Sequence, residues 1–422
     1  MIIGGRKIFY GWVIVAVGFL LLCVEGSCIF YSFGIFLKPM IGELGVGRAA
    51  GTTAFTVFQL VVGMSSLLVA VVIGRFGVRL PMALGFTVAA VGIALLSRIT
   101  QIWQLWLIYG VIVGAGVAFG HLLALTTLVN FWFIKRKSLA MGIVVAGMGA
   151  GPLVFAPFIA SMVESIGWRS SWIVLAGVVF FFAAVPALIF IRNRPEDMRQ
   201  LPDGVGMNGS VEGKPSSHGK RIAIAPVEWK VKDGIRTRTL WLIVIFACAN
   251  QFTLNMMNSH QVAHLTDIGI APVTAAASLG LMVGMSGAGR LMGGALGDKY
   301  QPRYLVAAAC IAEIVALLLL ITADSMAVVY IYVVLLGFSY GMILVLHMVM
   351  ISAYYGAKTY ARLASVVMFV TTPVYSVGPL LGGYMYDSLS SYVIPFSICA
   401  GFCAIGGICA LMARPPVPVS RH

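Results

Sequence analysis

The chain alternates long apolar runs with short polar breaks. Twelve runs are near the ~20 residues a helix needs to cross a bilayer. They fall at roughly 9–38, 51–74, 80–98, 103–132, 138–163, 168–192, 239–264, 273–297, 304–323, 326–352, 362–388 and 391–413. The longest break, residues 193–238, is rich in Gly, Pro, Lys and Arg and divides the chain six helices plus six. The pattern predicts an all-α, polytopic membrane protein with twelve transmembrane helices in two six-helix bundles. The predicted parts are an N-terminal bundle (1–192), a cytoplasmic central loop (193–238) and a C-terminal bundle (239–422). The first apolar run begins near Phe9 and is too long for the core of a cleavable signal.

The breaks differ in charge. One side carries Arg6 and Lys7, Arg75 and Arg79, Lys135, Arg136 and Lys137, and the central loop. It continues with Lys299 and Arg303, Lys358 and Arg362, and Arg414 and Arg421. The other side carries only Lys38, Arg48, Arg98 and Arg169. Positive loops stay in the cytoplasm, so both termini and the central loop are expected there.

Composition agrees with this reading. The chain is 60% hydrophobic and 10% charged, too apolar for a water-soluble domain. Its formal net charge of +14 would suggest nucleic acid in another context. Here the basic residues sit in short loops between apolar runs, and topology accounts for them without nucleic acid. The seven cysteines lie in apolar runs with no metal-ligand spacing, as small packing residues do. His260 and His264 are one helical turn apart with only Asp267 nearby, which does not make a metal site. No nucleophile–base set or cofactor loop is evident, so neither an enzyme nor a cofactor is expected.

Polar residues at membrane depth are the candidate chemistry. Arg290 stands in GMSGAGRLMGGALGDKYQPR, about 12 Å inside Asp298 at ~1.5 Å per residue. A charge so placed is expensive and marks an ion or substrate path. Its planar fork suits one carboxylate, and a single deep cation matches a monocarboxylate. A structural arginine paired with carbonyls or an acid is the alternative. Ser286, one turn earlier, shares its helix face. Glu25 is mid-way along the first helix, where a carboxyl is expected to be neutral and able to carry a proton. His121, His260, His264 and His347 are further protonatable groups. Tyr31, Tyr340 and Tyr375 combine an apolar wall with one hydroxyl. Glu313, in the ninth helix, is expected to contact protein and not substrate. Close glycines in the fourth, fifth, eighth and eleventh helices suit tight helix contacts.

The halves echo each other. GRFGVR (Gly74–Arg79) follows the second helix, and GDKYQPR (Gly297–Arg303) follows the eighth. Basic turns at matched positions are the sign of a two-bundle transporter. These turns resemble the loop motif of the major facilitator superfamily, with Gly74, Arg75 and Arg79 in one copy and Asp298, Lys299 and Arg303 in the other. The first copy has Gly74 where an aspartate is usual.

Within that superfamily the chain resembles the monocarboxylate transporter and oxalate/formate antiporter group. The resemblance rests on Gly11-Trp12 with YSFGIF (Tyr31–Phe36), NFWFIKRKSLAMGI (Asn130–Ile143), RNRPEDMRQLPDG (Arg192–Gly204), HQVAHLTDIGI (His260–Ile270) and Arg290. It implies proton-coupled transport of a small carboxylate, or carboxylate exchange, with Arg290 binding the carboxylate; alternating-access symport of a lactate- or pyruvate-like monocarboxylate is the reading expected here. Tyr31, His121, Ser286, Tyr340, Tyr375 and His260 would be the other substrate contacts, with a proton carried by Glu25, His121 or His260. It also implies a monomer in a bacterial inner membrane. Animal members have a lysine about where Tyr31 stands and an aspartate where Ser286 stands. The oxalate exchanger has a second cation in the eleventh helix, where Tyr375 is the nearest candidate here. The proton route therefore stays open. The alternatives are carboxylate exchange and, more distantly, a ligand sensor that does not transport.

Overall fold

The computed structural model describes residues 2–3, 6–7, 9–203, 229–270, 272–323 and 325–416. Most of the central loop (204–228) and Arg421 lie outside the described residues. Apart from a hairpin of two-residue strands, Ile2–Ile3 and Arg6–Lys7, and an isolated bridge between Phe133 and Asp203, the described residues are mainly helical. The sequence resolves into twelve stretches. α1 comprises Gly11–Glu25, a π-helical turn Gly26–Phe30 and Ser32–Leu44. α2 is Arg48–Met64 bent into Ser66–Phe76, and α3 is Arg79–Leu96. α4 runs through Ile102–Leu105, π-helical Trp106–Val113, Gly114–Ala118 and Leu122–Trp132.

Lys137–Val179 is continuous by hydrogen bonding but turns at Gly167, where φ is 78°. α5 precedes that glycine. α6 follows it through Phe180–Ala184 to Val185–Phe190. The remaining stretches are α7 (Arg238–Asp267), α8 (Pro272–Gly297), α9 (Pro302–Ile321), α10 (Met326–Tyr355), α11 (Ala357–Leu389) and α12 (Val393–Met412). Among the described residues, ten are long and apolar enough to cross a membrane, or eleven with the bent α2 counted as one span. α8, with Arg290 among its glycines, is the stretch outside that set.

Three of these stretches differ in detail from regular, evenly bounded helices. The first helix continues beyond 38 to Leu44, past Pro39 and Lys38. The stretch 103–132 stands as one candidate span, Ile102–Trp132, interrupted at His121. The fifth and sixth predicted helices meet at a single glycine kink with no polar loop between them.

Two compact units form. The first comprises Met1–Lys135 and Ile143–Glu212, the second Arg136–Gly142 and Gly213–His422. In the first, α1 and α5 lie backbone against backbone. A Cβ on Gly147 would stand 2.3 Å from Phe19 O, and one on Gly151 2.4 Å from Cys23 O. In the second, α8 and α10 touch the same way. A Cβ on Gly341 would stand 1.9 Å from Ser286 O, and one on Gly289 1.9 Å from Phe338 O. Only glycine permits such approaches, which supply packing where lipid provides no hydrophobic drive. Large apolar side chains cover the outside, among them Leu84, Val88, Phe158, Phe181, Ile311 and Ile408.

Candidate functional site

Glu25 and His121 meet in the first unit. Glu25 Oε1 lies 2.5 Å from His121 Nδ1. Each residue stands at an irregularity of its helix. The π-helical turn of α1 begins directly after Glu25. His121 has extended backbone (φ −69°, ψ −177°) and caps the last segment of α4. Such interruptions at membrane depth persist where protein covers the freed backbone, and they recur at functional sites. Glu25 is 1% exposed at its side chain and His121 13%, so the histidine is the open member of the pair. Glu25 Oε2 has no hydrogen-bond partner among the described residues. With one proton held between them the pair is neutral overall. Without it, a carboxylate charge would stand in a dry site, which is costly.

Arg290 lies in the second unit, 2% exposed on α8. Its guanidinium carbon is 6.0 Å from the ring centroid of Tyr340 on α10, within cation–π range. The Gly341–Ser286 and Gly289–Phe338 backbone contacts flank it and fix the two helices against each other. Ser286 is buried, and its hydroxyl donates to Val283 O at 2.7 Å. Its hydrogen is therefore used within its own helix, leaving an acceptor and not a donor.

The other predicted site residues occupy different surroundings. His260 Nε2 donates to Pro379 O at 2.8 Å, and its Nδ1 lies 3.3 Å from the Tyr392 hydroxyl. That arrangement ties α7 to α11 and to the start of α12. Tyr375 is half-buried on α11 between Pro373 and Pro379. Tyr31 closes the π-helical turn through its N–H to Gly26 O, with its ring 5.0 Å from Phe30. His264 reaches Leu320 O at 3.2 Å, and His347 lies 3.4 Å from Ile343 O of its own helix. Glu313 is 1% exposed. It accepts from Asn250 Nδ2 at 2.7 Å and from Cys403 Sγ at 3.3 Å, which joins α9 to α7 and α12. Asn250 and Cys403 gave no sign of this role in the sequence.

The two basic turns are built differently. At the first, Gly77 takes φ 75°, and Asn193 Oδ1 accepts from Val78 N at 2.8 Å and Arg79 N at 2.9 Å. Arg79 Nε donates to Leu188 O, and Arg75 lies over the Phe76 ring. Gly74 is exposed with open space around its Cβ position, so the missing acid is not a matter of crowding. At the second, Asp298 accepts from Ser138 N at 2.9 Å and Leu139 N at 3.0 Å. It thus caps the first turn of Lys137–Val179, where a carboxylate also meets the positive end of the helix dipole. Lys299 is exposed, and Arg303 bonds to Gln301 and Tyr304. At the opposite end of the first unit, Glu43 takes hydrogen bonds from Arg169 and from Trp168 Nε1. These bonds hold its carboxyl below the ordinary glutamate range, the Arg169 bond contributing most.

A polytopic helical membrane protein with ionisable groups buried in both units is the class these features define. A profile of the Major Facilitator Superfamily matches residues 15–372 and, a second time, 240–422, and the chain belongs to that superfamily of membrane transporters. It is 23% identical over 393 residues to the uncharacterized transporter YcxA of Bacillus subtilis, covering 90% of each chain. It is 24% identical to monocarboxylate transporter 4 of Gallus gallus, over 93% of this chain and 81% of that one. A segment of 158 residues is 32% identical to the oxalate:formate antiporter of Oxalobacter formigenes, 37% of each chain. Among solved structures, the E. coli fucose:proton symporter FucP superposes with a TM-score of 0.72. Identity there is 14%, with 96% of this chain and all of that one covered (100%), so the likeness is one of fold.

Proposed function

We propose that this transporter carries a small monocarboxylate, lactate- or pyruvate-like, together with a proton by alternating access. The observation that carries the reading is Arg290, an arginine 2% exposed among the glycines of α8. A guanidinium in that position can hold an anion, and its fork fits one carboxylate. Glu25 and His121 supply a pair that is neutral with one proton and costly without it. Loading both sites brings substrate charge and proton charge toward zero, which favours closing the protein over its cargo. Relatives named as monocarboxylate transporters support the substrate class. The protein would act as a monomer in a bacterial inner membrane, with both termini cytoplasmic, as its positive loops require.

Exchange of carboxylates without net proton movement is the second reading, favoured by the segment 32% identical to the oxalate:formate antiporter. Proteoliposomes separate the two. With an inside-alkaline pH gradient and no internal anion, a symporter accumulates labelled lactate or pyruvate and alkalinises the outside. Uptake seen only after preloading with carboxylate would instead establish exchange.

A further inference from the structure

A groove of about 240 Å³ lies where the end of α3 meets the start of α4, lined by Leu95, Ile99, Trp103, Leu107 and Ile108 together with the polar Arg98 and Gln104. Two stripes lead to it. On α3, Leu84, Val88, Val91 and Leu95 are exposed at helical spacing, and Arg98 continues the same face one turn on. On α4, Trp103, Leu107 and Val111 are exposed, each one turn from the next. In a membrane protein such stripes face acyl chains, and a tryptophan at the end of one marks the headgroup level.

The turn between the helices is held firmly. Arg169 donates to Ser97 O at 2.7 Å and to Ile99 O at 2.9 Å, on either side of Arg98. The Trp103 indole N–H is held by Gln101. Arg98 itself is exposed, and no hydrogen bond or ion pair from the described residues engages its guanidinium. A positive charge therefore stands over an apolar slot that opens toward lipid.

We infer that this groove binds an anionic phospholipid, one acyl chain lying between α3 and α4 and the phosphate on Arg98. The apolar walls require the chain, and the arginine requires the phosphate. A soluble anion would gain nothing from Leu95, Leu107 or Ile108. A zwitterionic lipid fits the slot equally but carries its own cation beside the phosphate, which weakens the arginine's hold.

The test is native mass spectrometry of the full chain released from mixed phosphatidylglycerol and phosphatidylcholine. Phosphatidylglycerol should be retained in preference. In R98Q that retention should fall about fivefold, the worth of one basic residue at an anionic surface, while phosphatidylcholine adducts persist. Leu95→Trp, which fills the slot without changing charge, should lower retention of both lipids. Arg98 is exposed and bonds to nothing in the described residues, so R98Q is decisive even if Leu95→Trp folds poorly. Wild-type retention of phosphatidylglycerol in R98Q overturns the inference. So does its equal displacement by glycerol phosphate, which would mark a site for soluble anions.

Discussion

Glu25 and His121 are ninety-six residues apart in sequence and 2.5 Å apart in the structure. The glutamate precedes a π-helical turn, and the histidine occupies a break in α4. Two local departures from regular helix thus coincide with the meeting of one acid and one base at a largely buried site.

Glu25→Gln keeps a hydrogen bond to His121 but removes the exchangeable acid. Stability should change by no more than about 1 kcal/mol. Concentrative uptake under a pH gradient should be lost while downhill carboxylate flux continues, as read by labelled lactate with an external pH dye. His121→Ala is the harsher change. It leaves the acid buried without its partner, and unfolding should become easier by roughly 3–5 kcal/mol.

Gly341→Ala and Gly289→Ala each place a methyl 1.9 Å from a carbonyl oxygen of the facing helix. Backbone cannot yield as a flexible side chain does, so the cost should reach or exceed the ~3 kcal/mol seen for severe overpacking. Transport should fall with stability, because Arg290 moves with α8. Tyr340→Phe keeps the ring beneath Arg290 and should cost far less than either glycine substitution. A Gly341→Ala variant with wild-type midpoint and uptake would show that the seam is looser than described.

Asp298→Ala removes the carboxylate that accepts from Ser138 N and Leu139 N. Loss of a cap of this kind costs about 0.5–2 kcal/mol. Asp298→Asn should retain most of that contribution, since an amide oxygen also caps. Thermal unfolding of the two variants side by side checks the order.

The Glu43–Arg169–Trp168 cluster should respond to pH. Glu43 sits below the ordinary glutamate value of 4.5 when folded. Its contribution is therefore present above about that pH and is lost as pH falls through the lower folded value. The midpoint difference between wild type and Glu43→Gln should be measurable at neutral pH and vanish in acid. A difference that grows on acidification would contradict the assignment.

Much of the architecture was legible from hydrophobic periodicity, because a bilayer imposes length and polarity on each stretch. Arg290 was legible for the same reason, as a charge among glycines where charge is expensive. The break at His121 was not. Gly120 and the apolar residues beside it read equally well as continuous helix, and the interruption depends on how α4 packs. The π-helical turn after Glu25 escaped for the same cause. The Asn193 cap over Val78 and Arg79 and the Asn250–Glu313–Cys403 cluster join residues far apart in the chain. No local pattern announces them.

Uptake of labelled lactate and pyruvate by proteoliposomes containing Arg290→Gln tests the central claim most directly. The variant's thermal midpoint and monodispersity should be recorded alongside. Uptake is predicted to fall to the level of protein-free liposomes, and carboxylates are predicted to raise the midpoint of the wild type but not that of the variant. Wild-type carboxylate uptake by a folded Arg290→Gln protein would contradict the account.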